Sequence, residues 1–568
     1  MGTKVKNGVL VGVFLIMMGM VVTASKAEAA AVKLDAKKIE ITAGESHVLR
    51  LSNNKKKVKW TVVSGKKFVE LKAKKKTSVK VVALKKGTAK ICAKVGKKKY
   101  TCKITVKAAV KKSSSDAKAL KALIKKVGKG TEISKNINNK EQYDWDKKGR
   151  LVEINWEKCE IKGSISFAKL PALTTISVAN NELTGIDISK NKKLTGLACT
   201  GNKLKTLDVS KNKKLTKLVC QKNSISKLDL RKNTKLKILS CFSNKITDVD
   251  VSKCSQLKEF LCGINQLSAV DVSQCKALKT LDCANNKIKA LKVSGNTVLE
   301  VLRCNNNQLT SIDLSKNMNL ESLTCGSNLA SLDVSKNIKL TSLYLSKSNI
   351  TTLTVQNHPS LSNVELEDNA ILANVSFAGC EKIETLSLQG NTKLTSLDAS
   401  GLPRLKRLVC SKGILTSLNV AGNTTLESLE CDNNQLEQLD VTGLKNLTSL
   451  FCMNNKIKSL AIHEMPNLTW FSCNDNQLEE LDMTGCRKLQ WIYCGRNNLK
   501  KLTLSDHPEL YALSCESNQL TELNLTQCPM LYELLCALNK ITYLDISNCP
   551  RLTTEGIFNP DYDVEVKK

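Results

Sequence analysis

The sequence has few of the residues that most often form metal sites and acid–base sites. It contains 4 His in 568 residues, and aromatic residues make up 4% of the chain. Only nine of its 88 basic residues are Arg, so lysine carries almost all of the positive charge. A histidine-based metal or acid–base site is therefore not expected. Because 42% of the residues are hydrophobic, the chain can bury a core, which excludes global disorder.

The sequence also lacks the motifs of common enzyme classes. H-E-x-x-H, a C-x-x-C pair, a phosphate-binding P-loop and G-x-S-x-G do not occur. We therefore predict a protein that is not an enzyme and that uses no metal and no cofactor.

The charge is unevenly distributed along the chain. Residues 30–150 hold 36 basic and 9 acidic residues, a net charge of +27, whereas 410–568 hold 13 and 20, a net charge of −7. An anionic cell-wall polymer such as teichoic acid, or a phospholipid surface, is the expected partner of the basic end. A generally solvated lysine face is the alternative. Nucleic acid is not expected, because aromatic or Arg residues are not interleaved with the lysines.

The N-terminus has the pattern of a secretory signal peptide, which we assign to 1–29. Lys4 and Lys6 precede an apolar run from Val9 to Val22, and Ala27-Glu28-Ala29 is a small-x-small cleavage signal. A membrane anchor is the alternative, but the run is shorter than the ~20 residues of a comfortable span. Ile557 to Lys568 carry no hydrophobic tail or sorting motif. These features predict a secreted protein, either free or non-covalently associated with the cell wall, with no transmembrane segment in its mature form.

Residues 30–107 show the period-2 alternation of an antiparallel β-sandwich. The strand Val58–Trp60, the stretch Ala83–Ala89 and the hairpin Val95–Val106 resemble the bacterial immunoglobulin-like domain, group 2. The resemblance implies a stalk or wall-proximal module. A two-residue turn at Lys97-Lys98 would place Cys92 and Cys102 on opposite faces, which favours unpaired thiols. A register change of one residue would reverse that argument, so their redox state stays open.

Residues 108–150 are interpreted as a linker followed by a helical N-terminal cap. Asp116 is expected to cap a helix whose apolar face holds Leu120, Leu123, Ile124 and Val127.

A 21-residue repeat dominates residues 151–557, and 558–568 form a C-terminal tail. Leu345, Leu366 and Leu388 hold the phase between two cysteine series, and Val178 and Trp156 hold it before them. This gives about 19 coils, and a fixed period of this length indicates a solenoid. The ladder cysteines are Cys199, Cys220, Cys241, Cys262, Cys283, Cys304, Cys325, Cys410, Cys431, Cys452, Cys473, Cys494, Cys515 and Cys536.

The pattern of each unit predicts one short strand, with Leu and Cys pointing inward, followed by a turn. In the copy from Leu215 to Asn233, Asn223 should turn inward to bond backbone groups that the turn leaves open. The last ten residues are too few for a helix, so the convex side should also be extended. The fold class is therefore mostly β, a leucine-rich repeat solenoid preceded by an immunoglobulin-like sandwich.

The repeat resembles the cysteine-ladder leucine-rich repeats of the internalin J type. The resemblance implies a Gram-positive surface protein that binds host or cell-surface ligands.

Three columns of equivalent side chains are candidates for metal or redox sites. The ladder cysteines are expected to pack as small hydrophobes. A column of aspartates (Asp187, Asp208, Asp229, Asp250 and Asp271) should bond to the backbone of the next turn rather than calcium. A second cysteine set shares its repeat position with Asn, Leu, Met and His, and is interpreted as a partly buried turn site: Cys254, Cys275, Cys380, Cys486, Cys528 and Cys549.

The candidate ligand site is a group of aromatic residues on neighbouring strands of the concave sheet. Exposed aromatic clusters mark binding surfaces, although cross-strand stacking for stability is the alternative. The proposed site residues are Phe451, Trp470, Trp491, Tyr493, Tyr511, Tyr532 and Arg496, with Glu533 nearby.

Two functions are compatible with these patterns. The first is a secreted or cell-surface binding protein whose solenoid recognises a protein or glycan ligand, as in adhesion. The second is a structural spacer or matrix protein without a specific ligand. The sequence does not identify the ligand, the role of host adhesion, the mode of attachment or the oligomeric state.

Overall fold

The structure is a computed structural model that describes residues 31–54, 56–108, 111–127, 130–326 and 328–568. The proposed signal peptide, 1–29, lies outside these residues. Within the described ranges, no helix is long and apolar enough to cross a membrane. The chain divides after Lys111 into two compact units.

The first unit is a sandwich of two four-stranded sheets. The strands are β1 (Lys33–Leu34), β2 (Lys38–Thr42), β3 (Ser46–Ser52), β4 (Lys59–Ser64), β5 (Val69–Lys72), β6 (Ser78–Ala83), β7 (Gly87–Val95) and β8 (Lys98–Lys107). The sheets are ordered β1-β3-β6-β5 and β2-β8-β7-β4. Inward side chains of both sheets form one core around Trp60, Ile91 and Ile104.

The β7–β8 turn differs from the prediction. Val95 pairs with Lys98, so the turn residues are Gly96 and Lys97 rather than Lys97 and Lys98. Gly96 has φ 58°, a left-handed conformation that glycine adopts without steric cost. In this register Cys102 lies opposite Ile91, so Cys92 still faces the other side of the sheet. Both thiols are free and buried.

The second unit begins with helix α1 (Ser114–Val127), which buries Leu120 and Ile124. Asp116 is not the N-cap, because the helix begins two residues earlier. Its buried carboxylate instead accepts two hydrogen bonds from Arg150, at 2.7 and 3.0 Å, and one from the Leu151 backbone N–H at 3.0 Å. The prediction failed because the partner lies 34 residues away in the sequence.

The repeat forms one long sheet of about 20 parallel strands, against about 19 predicted coils. Tyr143–Trp145 adds an antiparallel strand at its N-terminal end. The additional strand, Ile557–Asn559, follows the last cysteine coil and continues the sheet into the segment interpreted as a tail. The strands are Leu151–Asn155, Thr175–Ser177, Gly196–Ala198, Lys217–Val219, Ile238–Ser240, Glu259–Leu261, Thr280–Asp282, Val301–Arg303, Ser322–Gly326, Ser342–Ser346, Asn363–Glu365, Thr385–Ser387, Arg407–Val409, Ser428–Glu430, Ser449–Phe451, Trp470–Ser472, Trp491–Tyr493, Ala512–Ser514, Glu533–Leu535 and Ile557–Asn559.

The opposite side of the coils was predicted to be extended, and it forms paired strands in places. Among the described residues, five short parallel pairs occur there, and helix α2 (Pro550–Thr554) interrupts the last coil. The paired strands are Lys162–Ser166 with Glu182–Asp187, Thr352–Thr354 with Asn374–Ser376, Ser396–Asp398 with Ser417–Asn419, Glu480–Asp482 with Lys501–Thr503, and Tyr543–Asp545 with Glu565–Lys567.

The predicted mostly β solenoid of 21-residue coils is therefore confirmed. Equivalent residues stack in register, as Leu218 does on Leu239, so one apolar residue per strand, most often leucine, builds a continuous core.

Candidate functional site

The ladder cysteines lie inside the solenoid, one coil above another. All fourteen are free and at most 3% exposed. Burial raises the pKa of their thiols, in the case of Cys199 and Cys241 to about 12. Such thiols stay protonated at neutral pH, which makes them poor nucleophiles and poor metal ligands. Within the described residues, no cluster of His, Cys, Asp or Glu could hold a metal ion.

The asparagine three residues after most ladder cysteines ties two coils together. The Asn223 side chain donates to the carbonyls of Cys199 and Cys220, both at 3.0 Å, and accepts from the Leu204 backbone N–H at 3.0 Å. The predicted inward turn of Asn223 is confirmed. The same bonds recur at Asn244 and Asn265, so the ladder is rigid between coils.

The aspartate column does not resemble a calcium site. The Asp208 carboxylate accepts the Ser210 backbone N–H at 2.8 Å, and Asp250 and Asp271 bond in the same way to Ser252 and Ser273. Hydrogen bonding holds the pKa of Asp208 below its ordinary value, chiefly through Ser210. These carboxylates close the turns that follow them.

The second cysteine set is fully buried, so its interpretation as a partly buried turn site is wrong. Cys254, His358 and Asn212 all have 0% exposure. Asn212 donates to carbonyls of the preceding coil at 2.9 and 3.1 Å, and one ring nitrogen of His358 lies 3.1 Å from the Val334 carbonyl oxygen. This position can hold different residue types. A polar side chain there donates a hydrogen bond to the preceding coil, and an apolar side chain is equally compatible with the buried environment.

The aromatic candidates form a strip on the solvent face of the long sheet. Strands carrying Phe451, Trp470 and Trp491 are neighbours in register. The Phe451 and Trp470 rings meet edge to face at 5.6 Å between centroids. The Trp470 and Trp491 rings lie 5.3 Å apart with an interplanar angle of 35°. Trp470 is 42% exposed, while Phe451 and Trp491 are half-buried. We call these three residues the aromatic strip.

The two tyrosines further along form a separate pair. Tyr511 and Tyr532 stack at 5.1 Å with an interplanar angle of 11°. Arg551, from helix α2, lies over both rings at 5.7 and 5.9 Å. Arg551 could not be predicted from the repeat pattern, because α2 interrupts the repeat and places Arg551 over the sheet.

Two other candidates lie beside the strip rather than in it. Tyr493 lies two residues along the strand from Trp491, and burial, then the charge of Glu533, raises the pKa of its phenol. Arg496 is in the turn after that strand, with φ 50°, and pairs with Asp475 at 3.6 Å. Its guanidinium is therefore partly neutralised.

Carboxylates border the strip on both sides. Glu430 lies opposite Phe451 on the preceding strand and accepts from Arg407 at 2.7 Å. Glu533 lies beyond Ala512, two strands from Trp491. The arrangement combines apolar rings with acceptors for N–H or O–H donors.

The comparisons identify the class of this fold. No protein-family model and no curated protein matches the sequence. Solved structures that match are leucine-rich repeat proteins, and YopM from Yersinia enterocolitica aligns with a TM-score of 0.53 at 20% identity, over 69% of this chain and 83% of that one. The chain therefore has the fold of a leucine-rich repeat solenoid.

Two further solved structures are similar to this chain. The functional domain of InlJ from Listeria monocytogenes, which includes a cysteine ladder, is 31% identical over 54% of this chain and 69% of its own, with a TM-score of 0.41. The Arabidopsis receptor kinase HAESA, solved with the peptide hormone IDA and a co-receptor, is 16% identical over 79% of this chain and 94% of its own, with a TM-score of 0.48.

Proposed function

We propose that this chain is a secreted or cell-surface bacterial binding protein whose solenoid recognises a protein or glycan ligand at the aromatic strip. The observation that carries the proposal is the unbroken ring contact from Phe451 through Trp470 to Trp491, with Trp470 exposed on the sheet. Large exposed rings at neighbouring positions are typical of interface anchors.

The sheet suits recognition because it is both extended and rigid. In-register strands present aligned side chains over many coils. Asparagine bonds such as those of Asn223 fix each coil on the next. A ligand would therefore meet a preformed surface, which lowers the entropic cost of binding.

Both ligand classes fit the chemistry at the strip. Apolar faces of sugars and of protein side chains stack on indole rings. The carboxylates of Glu430 and Glu533 could accept hydrogen bonds from sugar hydroxyls or from N–H groups. The function needs no catalytic group, and we propose that the protein is not an enzyme.

The basic first unit would hold the protein at the bacterial surface. Export through the signal peptide 1–29 would place it outside the cell. There the net charge of +27 on 30–150 would attract an anionic cell-wall polymer. An immunoglobulin-like role as a wall-proximal module agrees with this arrangement.

A binding array of glycans and host proteins, probed with residues 30–568, tests the proposal. A specific ligand should lose affinity with Trp470→Ala. Tyr344→Ala is the matched control, because Tyr344 is a half-buried aromatic on a distant strand of the same sheet. No ligand on the array, or equal losses in both variants, would favour a structural spacer.

A further inference from the structure

Two rows of lysines cross the outer face of one sheet of the sandwich. The order β2-β8-β7-β4 brings lysines of neighbouring strands opposite one another. All six residues are exposed. One row is Lys38, Lys103 and Lys90, and the other is Lys99, Lys94 and Lys59.

These rows are unfavourable for the fold by themselves. Like charges directly opposite each other on neighbouring strands are destabilising. Elsewhere in the sandwich, strand lysines have acidic partners: Lys107 pairs with Glu40, and Lys72 pairs with Glu70 at 3.3 Å. Within the described residues, none of the six row lysines forms an ion pair. The sheet therefore keeps a concentrated positive charge on these six lysines, since Glu40, the carboxylate next to Lys38 on the same face of β2, pairs with Lys107.

A strip of short side chains separates the rows. Thr61 lies opposite Cys92, and Cys92 lies opposite Thr101. Cys92 is only 5% exposed, although it points to the outer face. Four residues along a strand separate the rows by ~13 Å, and neighbouring strands are ~4.8 Å apart. The result is a shallow groove with lysine walls and threonine hydroxyls along its floor.

We infer that this lysine-walled groove binds a linear, phosphate-bearing polymer that lies across the four strands. The inference rests on the proposed attachment of the first unit to an anionic polymer, and it names the face and the chemistry. Lysine binds phosphate as a point charge without a preferred fork geometry. Densely spaced phosphates would neutralise both rows and release counterions as they bind.

Linear inorganic polyphosphate and the full chain provide the direct test. The test variant is Lys90→Gln with Lys94→Gln and Lys103→Gln, which removes charge from both rows on the central strands β7 and β8. The control is Lys66→Gln with Lys74→Gln and Lys86→Gln, which removes the same charge from exposed turns. In low salt, we expect the test variant to bind roughly 30- to 100-fold more weakly and the control to change by less than about threefold.

Stability without ligand gives an independent readout. Relief of repulsion should raise the thermal midpoint of the test variant and leave the control unchanged. Polyphosphate should raise the midpoint of the wild type, because the aligned lysine rows exist only in the folded sheet. Circular dichroism would show that both variants are folded.

Each other outcome overturns the inference. Equal losses in both variants would mean that diffuse net charge binds the polymer, so attachment would stand without the groove. Binding to phosphatidylglycerol vesicles but not to polyphosphate would identify a membrane surface instead. No binding to either probe would overturn the attachment proposal as well.

Discussion

The indole rings of Trp470 and Trp491 lie 5.3 Å apart, centroid to centroid, on neighbouring parallel strands. This contact is both a candidate recognition surface and a cross-strand stacking interaction. An aromatic pair contributes about 0.5–1.5 kcal/mol of stability. An interface anchor can contribute ~2 kcal/mol or more of binding energy. Stability and affinity therefore have to be measured together on the same variants.

The ladder thiols should be free in the purified protein. Their side chains point the same way from stacked strands, which suits packing and not disulfides. Thiol titration of denatured, unreduced protein should find most of the ladder cysteines reduced. Titration of the folded protein should find few of them reactive, because they are buried. A result in which nearly all are oxidised would refute the packing account.

Substitution of one ladder cysteine should show how much a polar group in the core lowers the free energy of unfolding. Cys262→Ser places a hydroxyl in an apolar column, which should lower the free energy of unfolding by about 1–3 kcal/mol unless it finds a partner. Cys262→Ala is the control for lost volume. Denaturant unfolding of both variants gives the difference. A serine variant as stable as the alanine variant would mean that the column tolerates polar groups.

Raised thiol pKa values predict an alkaline loss of stability. The pKa of Cys241 rises from an ordinary value near 9 to about 12 because burial disfavours the thiolate. The folded state therefore holds a proton that the unfolded state releases above pH 9. The free energy of unfolding should fall as pH rises from 9 towards 12. Cys241→Ala should fall less steeply, and identical slopes would contradict the assignment.

The asparagine hydrogen bonds between coils should contribute more to the free energy of unfolding than exposed polar side chains do. Asn223→Ala removes a partner from two carbonyls and one N–H, so the loss should be about 3 kcal/mol. Asn498→Ala, at an exposed position, should cost less than ~0.5 kcal/mol. Similar losses in the two variants would contradict the structural role of Asn223.

The repeat could be predicted from the sequence because the interactions that define it are local. Spacing alone placed the ladder cysteines on one face of short strands, and Asn223 in the turn, since identical coils repeat one solution. Contacts that lie outside the repeat pattern could not be predicted from the sequence. The pairing of Asp116 with Arg150 and the placement of Arg551 over Tyr511 join residues far apart in the sequence.

The burial of the second cysteine set was also predicted wrongly, and the reason is physical. Cys254 shares its column with Asn212 and His358, and polar residues usually indicate exposure. Here the polar side chains are buried because they donate to carbonyls of the preceding coil. The candidate site was predictable as a group of outward aromatics. Its division into the aromatic strip and the Tyr511–Tyr532 pair depends on ring geometry, which spacing does not give.

Salt should control attachment of the protein to bacterial walls. The first unit should retain the protein in low salt and release it as screening shortens to ~3 Å at 1 M. A wall-binding assay across a salt series, with a variant that lacks 30–107, checks this. Retention that ignores salt, or that survives the deletion, would show that another part of the chain is responsible.

The most direct test of the binding proposal is Trp491→Ala, measured against a ligand from the array. Its dissociation constant should rise by ~30-fold, since each 1.4 kcal/mol is tenfold. Its free energy of unfolding should fall by no more than about 1.5 kcal/mol, the value of the lost ring contact. Tyr344→Ala should leave affinity unchanged. If Trp491→Ala binds the ligand as tightly as wild type, the aromatic strip is not the recognition site.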